Sequence, residues 1–319
     1  MLEYPKYCHM KKSKSIDVSL NVLNYNTYEK TKKCIESCLK QECDNLQVLL
    51  IDNKSTDGSF EKLKEEFRDK IEYLQTGFNY GYAKGNNIGI RYCYEQGIAF
   101  SFILNSDTEL VGDGLVCNML KVMNSYQDCA VVAPLIYDVT KKGLVLNEND
   151  SAYHKALRLF RVIPQNEVLS DNLYKICEAQ GSALLVDNSV FLKLGGFPEH
   201  YFMYCEECTF AKKVLWSGKR IYWYRSKEEY ILHHHDRTIG IEPWRAFLKG
   251  RNMGLEYYEN RKDRLAWRLI YSAFILRLKF SKDKSMIDGF REAKQIYRSR
   301  LSKEETYNKA VCVKNEYVG

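Results

Sequence analysis

Polar residues at four places in the first 240 positions have the types and spacing that chemistry on a charged substrate requires. Asp52 and Asp107 each follow a run of apolar residues, Glu206 and Glu207 are adjacent acids, and three consecutive histidines occupy 233–235. Carboxylates bind hard cations and take up protons, and histidine is a common metal ligand. The sequence therefore indicates metal-assisted or acid–base chemistry, provided that the fold brings these distant positions together.

The elements that must position these residues alternate between strands and helices. The apolar patterning predicts strands over 16–23, 46–51, 71–74 and 100–104, and helices over 28–41, 59–68 and 83–95. This alternation predicts an α/β fold with a mostly parallel central sheet and helices on both faces. Ligands bind such sheets at the carboxyl ends of strands, which is where Asp52 and Asp107 fall.

The second half of the chain has a less regular pattern. Strands are expected over 129–137, 183–187, 219–224 and 229–235, a helix over 206–217, and an irregular, partly helical insertion over 140–178. Helical patterns dominate from residue 241 onward. We therefore predict a flexible lead-in over 1–15, a catalytic domain over 16–240 and a helical, basic extension over 241–319.

The composition is that of a globular protein, with 45% hydrophobic and 28% charged residues and a net charge of +7. The charge is uneven, because residues 241–319 hold 18 Lys or Arg against 10 Asp or Glu. The first 240 residues are therefore close to neutral. This argues against a nucleic-acid partner for the main domain and favours an anionic partner for the extension.

Eleven cysteines and the lack of an N-terminal apolar segment of signal-peptide length predict a cytoplasmic protein with free thiols. The alternative is a zinc site, in which Cys205 and Cys208 would combine with the histidines 25 residues later. The two acids between these cysteines favour a different role for the segment.

A glycine-rich segment, Asn79-Tyr80-Gly81-Tyr82-Ala83-Lys84-Gly85-Asn86-Asn87, lies between the two strands that end in aspartate. Glycine lets the backbone approach a ligand closely, and the N-terminus of the helix that follows favours a phosphate group. The alternative is an ordinary connection that binds no ligand.

In this order, the segments 49–59, 79–87, 102–109 and 202–207 resemble the inverting family 2 glycosyltransferases of the GT-A fold. The resemblance is strongest to the rhamnosyltransferase-like members that build bacterial surface polysaccharides, and it extends over roughly residues 16 to 255. It implies a Rossmann-like GT-A domain that moves a sugar from a UDP- or dTDP-sugar to a saccharide hydroxyl. A lipid-linked oligosaccharide is the expected acceptor.

The resemblance implies which residues bind the donor and the metal. Asp52 corresponds to the residue that accepts a hydrogen bond from the N3–H of uracil or thymine, with a turn-forming aspartate as the alternative. Asp107 corresponds to the last acid of the Asp-x-Asp motif, which holds Mg²⁺ or Mn²⁺ against the diphosphate. His233 and His235, on one face of their strand, are further metal candidates, with surface histidines as the alternative. The expected nucleotide-sugar contacts are Asn24, Asp52, Asn79, Gly81, Lys84, Asn86, Asn87, Asn105 and Arg237.

Glu206 and Glu207 match the Glu-Asp pair of the family, whose second acid takes the proton of the acceptor hydroxyl. Glu207 is therefore the expected general base and Glu206 its support. The alternative is a pair of acids that complements the dipole of a helix N-terminus. The chain departs from the family at Thr209, where Asp is frequent, and at Lys213, where Arg is frequent. These departures bear on acceptor recognition more than on the reaction.

The extension contains an apolar stretch, Leu265–Leu278, of 14 residues, which is shorter than the ~20 residues that span a bilayer. Because lysines and arginines flank it, residues 260–285 are expected to form an interfacial helix on an anionic membrane. That would place the protein on the inner face of the cytoplasmic membrane. The alternative is a helix that packs on the catalytic domain or on a homodimer partner.

Two other functions compete with glycosyl transfer. A nucleotidyltransferase also uses a nucleotide-binding α/β sheet, but it normally needs a glycine-rich basic loop, and residues 21–27 contain no Gly, Lys or Arg. A non-catalytic sugar- or membrane-binding adaptor would keep the fold without turnover. Turnover of a nucleotide sugar separates the three functions.

Overall fold

The computed structural model describes residues 16–148, 163–234, 242–259 and 284–318, with isolated positions at 155, 158, 159, 269, 272 and 276. The predicted lead-in 1–15 lies outside these residues. The strands are β1 Val18–Asn24, β2 Leu46–Asp52, β3 Glu72–Gln75, β4 Phe100–Asn105, β5 Thr108–Val111, β6 Cys129–Ala133, β7 Ile136–Thr140, β8 Gly143–Leu146, β9 Glu167–Ser170, β10 Leu173–Ile176, β11 Ala183–Asp187, β12 Arg220–Tyr224 and β13 Tyr230–His233. The α-helices are α1 Tyr28–Cys38, α2 Ser59–Phe67, α3 Gly81–Glu95, α4 Leu115–Ser125, α5 Asn188–Lys193, α6 Glu206–Trp216, α7 Pro243–Glu259, α8 Lys284–Ser299 and α9 Lys303–Val318.

The strands form a nine-stranded sheet, in the order β3-β2-β1-β4-β11-β6-β12-β10-β9, and a four-stranded sheet, in the order β5-β13-β7-β8. In the large sheet β1 to β4 pair in parallel, and β12 is parallel to β6. β11 runs against β4 and β6, and β10 runs against β12 and β9. Since these two strands alone oppose the others among the described residues, the predicted mostly parallel α/β sheet is confirmed.

Helices cover both faces of the large sheet because both faces are apolar. On one face, Val18, Leu20 and Val22 of β1 belong to the cluster formed with α1, α2 and α4. On the other face, Ile103 of β4 and Val186 of β11 pack with α3, α5 and α6. A sheet buried on both sides favours strands that are apolar runs, which is why β2 and β4 could be located from the sequence. β1 was located from its alternation of apolar and polar residues.

Two expectations for the middle of the chain differ from the structure. The predicted strand 129–137 is two strands, β6 in the large sheet and β7 in the small one. Pro134 lies between them, and proline cannot donate a hydrogen bond within a sheet. The predicted insertion 140–178 is less irregular than expected, because its described part contains the strands β8, β9 and β10 besides helical positions at 155, 158 and 159. β8 and β9 are largely exposed edge strands, so the alternation that a buried face imposes is missing.

Helices α7, α8 and α9 agree with the helical pattern expected after residue 241, and α7 is tied to the segment before α6. Asn252 of α7 donates from Nδ2 to the backbone oxygens of Tyr201, Met203 and Tyr204, at 3.1, 2.8 and 2.9 Å. Three carbonyl groups are thus satisfied by one buried amide. The backbone that leads into Glu206 is therefore held by the C-terminal part of the chain.

The predicted interfacial helix 260–285 lies mostly outside the described residues. Its described positions 269, 272 and 276 are helical and exposed. Across the part of the chain that the structure describes, no helix has both the length and the apolar composition that crossing a bilayer requires.

Candidate active site

A cavity of about 310 Å³, here called the Asp107 cavity, opens where β1 and β4 end at the carboxyl edge of the large sheet. It brings together Asn79, Gly81, Asn105 and Asp107, which come from two separate sequence motifs. Its lining residues are Leu23, Tyr25, Asn53, Asn79, Gly81, Tyr82, Asn105, Ser106, Asp107 and Met203. The position matches the rule that open α/β sheets bind ligands beyond the carboxyl ends of their strands.

Asp107 faces a histidine that also contacts a second aspartate. His233, the last residue of β13, places Nε2 3.4 Å from Asp107 Oδ1 and Nδ1 3.3 Å from Asp138 Oδ1. Asp138 is the partner of His233 in the register of β7 with β13. Burial alone lowers the pKa of His233, but its hydrogen bonds to the two carboxylates and their charges raise this pKa to about 9.

The neighbouring histidines of the motif have different surroundings. His234 Nε2 lies 3.1 Å from Glu109 Oε2, and both side chains are 40% exposed. His235 and Arg237, predicted to contact the metal and the nucleotide, lie outside the described residues. Of the described histidines in this motif, His233 is the one beside Asp107.

The groups around Asp107 fit a hard divalent cation that shares its coordination with a substrate. The Asp107 side chain is 25% exposed, so its carboxylate is accessible. Within the described residues, no three His, Cys, Asp or Glu side chains form a complete metal site. Mg²⁺ needs no such site, because it is commonly held by one or two carboxylates plus substrate phosphates and water. The contact of His233 with Asp138 is of the kind that orients metal-binding histidines.

Asp52 and Asn24 are fully buried and do not line the Asp107 cavity. Asp52 Oδ1 accepts hydrogen bonds from Asn24 Nδ2 at 2.8 Å and Ser55 Oγ at 2.5 Å. Oδ2 accepts from Ser55 N and from Gln75 Nε2, both at 3.0 Å. All four acceptor positions of this carboxylate are therefore occupied. For Asp52 to accept a hydrogen bond from a nucleotide base, one of these four bonds must break. The bond from Gln75 is the easiest to replace, because Gln75 is less buried than Asp52.

The first half of the glycine-rich segment forms part of the cavity wall. Gly81 has φ +74°, and a Cβ atom there would lie 2.4 Å from the carbonyl oxygen of Phe202. Asn79 Oδ1 accepts a hydrogen bond from Gly81 N at 3.0 Å, and Asn53 Nδ2 donates to Gly81 O at 2.8 Å. Glycine is required here both for the left-handed backbone and for the close approach.

The second half of this segment, with the predicted nucleotide-sugar contacts Lys84, Asn86 and Asn87, does not line the Asp107 cavity. Helix α3 begins at Gly81, and its turn points these side chains elsewhere. Asn87 donates to the carbonyl oxygen of Phe197 at 2.9 Å and accepts from its N–H at 3.0 Å. Asn86 Nδ2 donates within the helix, and Lys84 lines a different cavity.

Glu206 and Glu207 begin α6 after an unusual backbone path. Phe202, Tyr204 and Cys205 have φ between +67° and +75°. Residues other than glycine rarely adopt this region, and such strain is often found at functional sites. The hydrogen bonds from α7 to this segment hold the conformation in place.

The two acids differ in burial and in protonation. Glu206 is 4% exposed, and its Oε2 has no hydrogen-bond partner among the described residues. Burial and then the charge of Glu207 raise the pKa of Glu206 well above its usual value. Glu207 is less buried, and burial, followed by the charge of Glu178, raises its pKa to about 7. Of the two, Glu207 is the accessible acid with a pKa suited to a general base at neutral pH.

Tyr82 connects the Asp107 cavity with the two glutamates. It lines that cavity, and its hydroxyl donates to the carbonyl oxygen of Gly181. A Cβ atom on Gly181 would lie 3.6 Å from the Glu207 side chain. Burial, then the charges of Glu206 and Glu207, raises the pKa of Tyr82 well above its usual value. Tyr82 therefore shares a cavity with Asp107 and contacts Gly181, which lies beside Glu207.

Sequence analysis missed both Tyr82 and Asp138 as site residues. A signal existed for Tyr82, since it stands where the family motif has Phe and adds a hydroxyl. The signal for Asp138 was weaker, an acid two residues after Ile136 in an apolar strand pattern. Its contact with His233 depends on β7 pairing with β13, which no local pattern reveals.

The zinc alternative finds no support in the surroundings of Cys205 and Cys208. Burial first, and then Glu207 in both cases, raises the pKa of each thiol. Zinc binds the thiolate, which these surroundings disfavour. His233, one of the histidines proposed to complete the site, faces Asp107 instead.

Solved structures share this fold. Residues 1–349 of TarS from S. aureus, in complex with UDP-GlcNAc, give a TM-score of 0.56 at 15% identity, covering 90% of this chain and 93% of that one. The mannosyltransferase PcManGT from Pyrobaculum calidifontis, in complex with GDP-Man and Mn²⁺, gives a TM-score of 0.56 at 13% identity, covering 94% and 81%. Both are GT-A glycosyltransferases, so the predicted GT-A fold is confirmed.

Relatives in sequence are sugar transferases. The low-salt glycan biosynthesis hexosyltransferase Agl10 of Haloferax volcanii is 24% identical over 311 residues, covering 93% of this chain and 91% of the relative. The rhamnosyltransferase WbbL of Escherichia coli is 24% identical, covering 73% and 90%. The N-acetylglucosaminyl-diphospho-decaprenol L-rhamnosyltransferase of Mycobacterium tuberculosis is 27% identical, covering 62% and 69%. The family model for glycosyl transferase family 2 matches residues 19–180. Because the matched residues include most of β1, all of β2 to β4, the glycine-rich segment and Asp107 and amount to half of the chain, this chain belongs to glycosyl transferase family 2 and is a glycosyltransferase of glycan biosynthesis.

Proposed function

We propose that this glycosyltransferase is an inverting, metal-dependent enzyme that moves a sugar from a UDP- or dTDP-sugar to a hydroxyl of a lipid-linked saccharide in cell-surface polysaccharide synthesis. The observation that carries the proposal is the position of Tyr82, which lines the Asp107 cavity and hydrogen-bonds beside Glu207. A candidate metal ligand and a candidate base thus share one site. The solved relatives bind UDP-GlcNAc, or GDP-Man with Mn²⁺, and the name of the mycobacterial relative contains a lipid diphosphate.

The proposed reaction assigns a separate task to each group. Asp107 would hold the divalent ion, and His233 would join it on releasing the proton that its two carboxylate neighbours favour. When bound, such an ion neutralises the charge that develops on a leaving nucleoside diphosphate. Glu207 accepts the proton of the acceptor hydroxyl. At the same time the hydroxyl oxygen bonds to the anomeric carbon of the donor sugar, and the bond from that carbon to the diphosphate breaks. Attack from the face opposite the leaving group inverts the configuration.

Release of nucleoside diphosphate from a panel of nucleotide sugars tests this function. With Mn²⁺ we expect release from UDP- or dTDP-sugars, and little release from GDP-sugars. Binding of a nucleotide sugar without release from any donor would favour the adaptor. Release of pyrophosphate from UTP or dTTP in the presence of a sugar 1-phosphate would favour the nucleotidyltransferase.

For the location of the enzyme, we propose the inner face of the cytoplasmic membrane, with residues 260–285 on the lipid surface. Leu269 and Leu276 are 50% and 56% exposed. They are seven positions apart, so they share one face of a helix. The lysines and arginines around them would be attracted to anionic lipid, each contributing about 1 kcal/mol near the surface.

Flotation with liposomes tests this placement. We expect the full chain to float with vesicles that contain anionic lipid, and to float less as salt rises, because the Debye length falls from about 10 Å at 0.1 M to about 3 Å at 1 M. The double variant Leu269→Asp/Leu276→Asp should not float. Leu144→Asp, at a 53% exposed residue of β8, is the matched control and should float normally. If the double variant floats as well as the control, the segment does not mediate membrane binding.

A further inference from the structure

A second cavity, of about 650 Å³ and here called the α9 cavity, lies on the other side of segment 78–84 from the Asp107 cavity. Residues of that segment alternate between the two cavities. Asn79 and Gly81 line the Asp107 cavity, whereas Tyr80 and Lys84 line the α9 cavity. Helix α9, helix α6 and residues 195–200 complete its walls. Nothing in the proposed reaction uses this space.

Aromatic rings dominate the opening of the α9 cavity. Phe78 and Trp216 both line this cavity and are 50% and 49% exposed. Lys84, another lining residue, has its Nζ 4.2 Å from the centre of the Tyr80 ring and 5.7 Å from that of the Tyr307 ring. Large exposed rings around a cavity are more typical of a binding site than of ordinary surface.

A buried hydroxyl also points to a ligand. The hydroxyl oxygen of Tyr307 is buried and has no hydrogen-bond partner among the described residues. Burial, then the proximity of Tyr80 and Glu199, raises its pKa, so the hydroxyl stays protonated and can donate as well as accept. A buried polar group without a partner carries an energetic cost, which a ligand hydroxyl would remove.

The charges of the α9 cavity balance one another. The basic residues Lys84, Lys213 and Lys303 face the acidic residues Glu199, Glu259 and Glu304. Several of these groups are already engaged. Lys213 Nζ donates to the carbonyl oxygen of Gly196 at 3.0 Å, and His200 Nε2 lies 2.6 Å from Glu259 Oε1. A cavity with balanced charge, apolar rings and free hydrogen-bonding capacity favours a neutral ligand that has hydroxyl edges and apolar C–H faces.

The geometry points to a saccharide site: the α9 cavity binds a neutral sugar unit of the acceptor glycan, away from the unit that receives the transferred sugar. The inference rests on the proposed saccharide acceptor. Thr209 and Lys213, the two positions where the chain departs from the family motif, both line this cavity. The two departures would then adapt the enzyme to its own acceptor. Segment 78–84, which lines both cavities, would connect binding of a sugar in the α9 cavity to the Asp107 cavity.

Saturation-transfer NMR with neutral methyl glycosides, in the absence of nucleotide sugar, tests the site. The panel contains the glycosides of rhamnose, glucose, galactose, mannose and N-acetylglucosamine. We expect at least one of them to bind, with saturation concentrated on the C–H groups of one sugar face, and UDP should not displace it. Trp216→Ala should weaken binding about tenfold, from the loss of roughly 50 Å² of apolar contact.

Tyr307→Phe is the sharper variant, because it removes only the hydroxyl that lacks a partner. Binding should weaken roughly two- to tenfold, as for the loss of one hydrogen bond, while the melting temperature does not fall. Tyr94→Ala, at a 50% exposed aromatic residue that does not line the α9 cavity, is the control and should bind normally.

The inference is wrong if no glycoside of the panel binds, if UDP displaces the bound glycoside, or if Trp216→Ala and Tyr307→Phe both bind like the unmodified chain. If saturation is transferred to decanol but to none of the glycosides, the cavity binds a lipid chain, and the saccharide inference is refuted. Nucleoside diphosphate release by the same proteins is measured separately. A protein that releases the diphosphate but binds no glycoside refutes the saccharide site while leaving the proposed function intact.

Discussion

Asp107→Ala is expected to lower the rate of sugar transfer about 10³-fold. Asp107 is the accessible carboxylate in the cavity, and the groups beside it, His233 and Asp138, fit a divalent cation that also binds the donor phosphates. Charge neutralisation by such a cation is worth several kcal/mol, and each 1.36 kcal/mol corresponds to a tenfold change in rate. Calorimetry with the nucleotide sugar and Mn²⁺ should also show weaker donor binding.

The control for this variant is Glu109→Ala. Glu109 is an acid two residues away that contacts His234 and does not line the Asp107 cavity, so its removal should change the rate little. A chelator should inactivate the unmodified enzyme, and added Mn²⁺ or Mg²⁺ should restore it. The same addition should not restore Asp107→Ala. Full activity in excess chelator would show that the metal assignment is wrong.

The central sheet could be predicted because the pattern of apolar residues within each strand indicates the strand without knowledge of distant contacts. Both faces are covered by helices, so β2 and β4 are apolar runs, whereas β1 alternates apolar and polar residues, and each strand ends where a polar residue meets the loop. The position of Asp107 at the carboxyl edge followed from this alone. The exposed edge strands β8 and β9 are not under that constraint, so no long apolar run or regular alternation marks them in the sequence.

The details of the site depended on contacts between distant segments. Nothing near Asp52 in the sequence shows that Gln75 and Asn24 saturate its carboxylate, because those bonds follow from the parallel pairing of β2 with β1 and β3. The direction of Lys84 depended on α3 starting at Gly81 rather than at 83. The α9 cavity joins Phe78 with Tyr307, which only the packing of the C-terminal helices brings together.

Glu207→Gln is expected to lower the transfer rate ~10²–10⁴-fold, the usual cost of losing a positioned general base. The amide cannot take up the proton of the acceptor hydroxyl. It keeps the shape of the side chain, so donor affinity should change little. The pH profile gives an independent readout. Because the pKa of Glu207 is about 7 and the base must be ionised, the rate of the unmodified enzyme should rise with pH through about 7 and then level off. Glu207→Gln should lack this rise.

A lower transfer rate in Glu207→Gln is not expected to come from unfolding, and a melting curve checks this. The pKa of Glu207 is raised from 4.5 to about 7 in the folded protein, so the folded state holds its proton more tightly than the unfolded state. Stability is therefore lost as pH rises through that window. Glu207→Gln is free of this cost, and at pH 8 it should melt no lower than the unmodified enzyme.

Glu206→Gln is the matched comparison for the assignment of the base. Glu206 is more buried than Glu207, and burial raises the pKa of Glu206 well above its usual value, so its charged form is disfavoured and the amide is a close substitute for the neutral acid. We expect weaker acceptor binding, seen as a higher KM, with a smaller loss in kcat than for Glu207→Gln. If Glu207→Gln transfers sugar at a near-normal rate and Glu206→Gln does not, then Glu206 is the base. If both variants remain active, the pair serves the start of α6 and the proton leaves by another route.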